Sequence, residues 1–158
     1  MGGLGSGWQG EKKATVEASL ALVAAELAHK KALVVGKWSL GTWSWTSGGA
    51  PLLTIGYEAD LSDRGSTWLR LFYQVSGEAV DYKIRLVATT PHYGGLRWWF
   101  ICPLERRNGE PPRRVAKLYL PPGGKYFGSR EGYGLTYTSC QESGKNRGFL
   151  RLLEAAAA

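Results

Sequence analysis

The residues Trp68-Leu69-Arg70-Leu71-Phe72-Tyr73-Gln74-Val75 restrict the fold more than any other stretch, because apolar and mixed positions alternate along them without a break. Successive side chains of a strand point to opposite faces, so Leu69, Leu71, Tyr73 and Val75 share one side and Trp68, Arg70, Phe72 and Gln74 the other. Tyr82-Lys83-Ile84-Arg85-Leu86 repeats the pattern, with Lys83 and Arg85 opposite the apolar face. Strand-like segments at 40–46 and 52–59 precede them. Gly48-Gly49-Ala50-Pro51, Asp63-Arg64-Gly65 and Gly77-Glu78 separate the segments as turns. Short strands at this spacing predict an antiparallel meander rather than βαβ units.

Upstream, the period changes. Val16, Leu20, Val23, Ala24 and Leu27 recur every three or four residues, Thr15 is placed as an N-cap, and His29, Lys30 and Lys31 suit a helix C-terminus. The spacing predicts a helix over 15–32 covering one face of the sheet. Residues 1–13 are Gly-rich and read as a flexible arm. Trp43 and Trp45, two apart, share a face. With Trp38 they form either core aromatics or a stacking platform for unpaired bases.

Residues 97–143 hold both cysteines and a dense set of cations, and 97–158 carry eleven Lys/Arg against five Asp/Glu, whereas 1–96 carry nine against eight. The net charge of +7 therefore resides mostly in the second part, which is the candidate surface for a polyanion. A strand at 97–102 leads into a long excursion with turns at Asn108-Gly109 and Pro111-Pro112. A further strand at 114–120 turns at Pro121-Pro122-Gly123-Gly124 and returns over 125–128, giving a β-hairpin with a second turn at 129–132. Residues 144–158 read as a tail with a short helix.

Several stretches together carry a resemblance: Gly5-Ser6-Gly7, Thr15-Val16-Glu17-Ala18-Ser19-Leu20, Thr90-Pro91, Gly94-Gly95 and nearly all of 99–143. They are similar to a family of uncharacterised small bacterial proteins that end in a four-cysteine module of the zinc-ribbon or treble-clef type, and the similarity covers most of the chain. It implies ligand positions at Cys102, near Pro112, and at Ser129 and Gly132. Only the first is a cysteine here. Structural zinc takes four N or S donors, so a degenerate module without a metal cofactor is expected, held by aromatic packing against the meander.

The expected architecture is thus α+β. An N-terminal helix packs on an antiparallel meander (14–96), followed by a basic, aromatic zinc-ribbon-like hairpin module (97–143) and a short C-terminal helix. The expected function is non-catalytic nucleic-acid binding. Arg97, Arg106, Arg107, Arg113, Arg114, Lys117, Lys125 and Arg130 would neutralise phosphates, and Trp98, Tyr119, Tyr126 and Tyr133 would stack on bases. DNA and RNA both remain open as partners. The alternative is a protein-interaction module, an accessory or inhibitory subunit of a larger nucleoprotein complex, because Arg and Trp also anchor protein interfaces. Catalysis is not expected: no nucleophile, base and orienting group are paired, and Asp60 with Asp63 is the one acidic pair a metal-dependent nuclease could use. Two cysteines outside any CxxC pair, with no apolar run long enough to span a membrane, point to the cytoplasm.

Overall fold

The computed structural model describes residues 12–106 and 109–141. The chain runs β1 (Leu20–Val23), α1 (Ala24–His29), β2 (Trp38–Ser47), β3 (Ala50–Asp60), β4 (Trp68–Val75) and β5 (Glu78–Thr89). It continues with β6 (Arg97–Ile101), β7 (Arg114–Val115) and β8 (Lys117–Leu120). Strands β2 to β7 form one curled antiparallel sheet in sequence order, and β1 pairs with β8 in a separate two-stranded ribbon. Two tight turns drive the meander. Gly48 and Gly49, and then Ser76 and Gly77, all have positive φ, the two-residue geometry whose twist matches the strands on either side.

Alternation decides the inside of the curl. Leu69 and Leu71 of β4 are fully buried and Tyr73 nearly so, beside Ile55 and Ala59 of β3, Val80, Ile84 and Leu86 of β5, and Phe100 of β6. The ribbon covers part of this face. Leu22 pairs across from Leu118, both without exposed area, and burial of a leucine contributes about 1.5–3 kcal/mol. The Trp45 indole N–H donates to the Ala21 carbonyl at 2.8 Å, tying β2 to the ribbon, and Lys30 lies over the Trp43 ring. Trp43 and Trp45 therefore work as packing aromatics on the inner side of β2, whereas Trp38 is exposed and donates to Glu58.

The α+β expectation is corrected. With 46% of the described residues in strands against 9% helical, the protein is mostly β, and among these residues no N-terminal helix is packed on a meander. Thr15 does accept a hydrogen bond from the Ala18 N–H at 3.2 Å, as a cap would, but the turn it closes leads into strand β1. Leu20, Ala21, Leu22 and Val23 find partners in Leu120, Tyr119, Leu118 and Lys117. Such distant pairing overrides local helix propensity, which is worth only tenths of a kcal/mol per residue. What survives as helix is α1, which buries Ala24 and Leu27 and ends before Lys31 at φ 60.

The separate zinc-ribbon-like hairpin is also corrected. Strands β6 and β7 extend the large sheet, while β8 crosses to β1; a local hairpin remains only where Tyr119 and Gly128 exchange backbone hydrogen bonds of 2.7 and 2.9 Å. A second helical turn covers 138–141. The N-terminal arm up to residue 11 and the C-terminal helix expected in 144–158 lie outside the described residues.

Candidate nucleic-acid interface

The cations expected to act together occupy different environments. Arg106 pairs with Glu110, Arg113 with Glu131, and Lys125 with Glu78 at 2.6 Å, so each already has a counter-charge. Lys117 is exposed on β8, Arg130 lies over the Tyr137 ring, and Arg107 is outside the described residues. Of the expected stacking aromatics, Trp98 and Tyr119 are only 7% and 8% exposed, and Trp98 is part of the core. The Tyr133 hydroxyl donates to the Tyr126 carbonyl, and Tyr126 meets Tyr82 edge to face. Tyr126 alone of the four keeps a largely open ring.

Arg97 and Arg114 differ. Residues 97, 99 and 101 of β6 face outward, and the β6–β7 register sets Arg114 across from Ile101. Both guanidinium groups lie over the Trp99 ring, 4.1 and 4.6 Å from its centroid, and the indole N–H of Trp99 donates to the Thr89 hydroxyl at 2.8 Å. Neither arginine has a carboxylate partner among the described residues. Cation–π contact fixes their orientation without neutralising them, so their N–H forks remain available for an anion. On the same face of the neighbouring strands, Lys83 stands over the Trp68 ring at 4.0 Å and Arg85 pairs across from Trp68. The result is a strip of four cations and two indoles on the outer side of β4–β7.

The β3–β4 part of that face is electrically closed. Arg70 donates through Nε and Nη2 to Asp81 (2.8 and 2.6 Å) and through Nη1 to Glu58 (3.0 Å). Hydrogen bonds from Trp38 and Arg70 hold the Glu58 carboxyl below its ordinary range, and Arg70 does the same for Asp81. A carboxylate whose folded pKa is lowered stabilises the fold above its unfolded value near 4 and loses that contribution as pH falls further. Melting temperature followed from neutral to acid should therefore drop below about pH 4. In Arg70→Gln the drop should be smaller and begin from a lower neutral-pH value; an unchanged acid limb would show that the cluster contributes nothing.

At the end of β6 a cavity of about 660 Å³ is lined by Cys102, Arg106, Glu110, Arg113, Glu131 and Tyr133, among others. Buried Cys102 accepts the Ser129 N–H at 3.3 Å through Sγ, and Ser129 Oγ accepts the Gly132 N–H at 3.0 Å. The chain thus draws Cys102, Ser129 and Gly132 together. The donors on offer there are one thiol and one hydroxyl, each already accepting a backbone hydrogen bond. Among the described residues, no group of three or more His, Cys, Asp or Glu is placed to hold a metal ion.

Sequence reasoning identified Arg97 and Arg114 but passed over Trp99, Trp68, Lys83 and Arg85. Parity was the available signal: in Arg97-Trp98-Trp99-Phe100-Ile101, the residues sharing a side with Arg97 are Trp99 and Ile101.

Fold and face together define a small antiparallel-β protein with a basic, aromatic outer strip. No protein-family model, curated protein or solved structure matches the chain. No helix among the described residues is long and apolar enough to cross a membrane.

Proposed function

We propose that the chain is a non-catalytic nucleic-acid-binding protein that meets the phosphate backbone with the outer face of β5–β7. The observation that carries this reading is the pair Arg97 and Arg114, held on Trp99 and free of carboxylates. Lys83 and Arg85 add positive charge on the same side. The two indoles hold Arg97, Arg114 and Lys83 in place on the outer face.

Fluorescence anisotropy with labelled single-stranded and duplex oligonucleotides across a salt series tests the reading. Each phosphate contact contributes about 0.7 to the log–log salt slope for a single strand. Arg97→Ala with Arg114→Ala should therefore reduce the slope by about 1.4. Arg113→Ala, which removes a cation already paired with Glu131, should change it much less. Absence of salt-sensitive binding to DNA and RNA alike would overturn the proposal.

A second reading, a protein-interaction module within a nucleoprotein complex, is favoured by one separate observation. Trp38 and Leu40 of β2 and Leu52 of β3 are large apolar side chains that are 56–60% exposed.

A further inference from the structure

Strand β5 serves two neighbours in turn. Its last pair with β4 is Arg85 with Trp68, and its first pair with β6 is Leu86 with Phe100. Thr67 closes the β4 side: its carbonyl accepts the Leu86 N–H at 3.0 Å and its hydroxyl donates to the Leu86 carbonyl at 2.9 Å. Beyond that point β4 has ended, and a cavity of about 450 Å³ opens between the 61–67 loop and the start of β6. Leu61, Val87, Leu96 and Trp98 supply apolar walls, while Arg64 and Arg85 add two cations. Neither arginine has a carboxylate partner among the described residues.

The cavity adjoins the basic strip. Val87 pairs across from Trp99, and Arg85 belongs to both the strip and the cavity lining. A hollow of this size, lined in about equal part by polar and apolar surface, has room for a small ligand with both kinds of group. Two unpaired guanidinium groups call for an anion attached to an apolar, planar body. A nucleotide has both parts.

We infer that this cavity receives one unstacked base of a single strand lying on the outer face, with the adjoining phosphates on Arg64 and Arg85. The inference rests on the nucleic-acid reading above and adds to it a preference for single strands, because a paired base must first leave its stack. Trp98 is one of the residues lining the cavity, and its indole N–H has no hydrogen-bond partner among the described residues.

The test compares a short single-stranded oligonucleotide with an abasic strand of equal length, by anisotropy at one salt concentration and then across a salt series. The intact protein should prefer the base-bearing strand by roughly 5- to 150-fold, the range that one stacked base provides. Ala88→Phe, at an exposed position in the cavity lining, should bring that ratio close to one while leaving the salt slope unchanged. Leu96→Ala, which removes a half-exposed wall, should lower the ratio part of the way, and thermal melts should confirm that both variants are folded. If both variants keep the full ratio and the salt-sensitive binding, the cavity has no role and the inference falls while the outer-face reading stands. If neither strand binds at any salt concentration, both fall together.

Discussion

Replacing Phe127 by alanine should lower the unfolding free energy by about 3–5 kcal/mol, the loss typical of a large aromatic removed from a closed core. Phe127 lies outside every named strand, in the return limb after β8, yet it has no exposed area. Its ring stacks on Trp45 of β2 at 5.5 Å between centroids and meets Tyr73 of β4 edge-on at 5.9 Å. Its backbone N–H donates to the Tyr82 hydroxyl of β5 at 2.9 Å. Its side chain thus joins two strands of the sheet, and its backbone a third, to the limb that follows the ribbon. Chemical denaturation of the purified variant measures the effect. A loss below about 1 kcal/mol would place the limb outside the cooperative core, since surface changes fall within that range.

The second large effect concerns alkaline pH. Tyr73 donates to the Lys125 carbonyl at 2.6 Å and shares a 3.1 Å hydrogen bond with the Tyr82 hydroxyl. Burial pushes Tyr73 up to about 12 and raises Tyr82 as well. Both hydroxyls are held neutral in the fold, whereas in the unfolded chain they ionise near pH 10. Their contribution to stability is complete below that value and is lost as pH rises toward and beyond 12. Denaturation midpoints should be level through neutral pH and fall steeply above about pH 10. Tyr82→Phe should flatten that limb. At neutral pH it should cost about 1–3 kcal/mol, because the Phe127 N–H and the Tyr73 hydroxyl lose a buried partner. An alkaline limb equally steep in Tyr82→Phe would contradict this account.

The parts of the fold legible in the sequence are those set by neighbours along the chain. The faces of β4 and β5 follow from alternation, and the turns from Gly48-Gly49 and Gly77, glycines that take positive φ, although the second turn falls at Ser76-Gly77, one residue earlier than Gly77-Glu78. Strand β1 was not legible, because Leu20 and Val23 fit a helical stripe with Val16, Ala24 and Leu27, and the strand's partners lie in β8. The site divides in the same way. Counting cations by chain position groups Arg113 with Arg114, but the pleat turns one toward Glu131 and the other toward Trp99. The same count separates Lys83 and Arg85 from Arg97, which the sheet brings to one face.

The pairing of β1 with β8 also orders events during synthesis. Leu20 meets Leu120, one hundred residues later, so at about 5–20 residues per second β1 is made roughly 5–20 s before its partner. Throughout that interval the meander can already close hairpin by hairpin, while Leu20 and Leu22 have no strand to cover them. A ribosome-bound chain halted before β8 would present an assembled sheet with an open inner face. A holding chaperone would find its binding surface there, and would be released once Leu118 and Leu120 emerge.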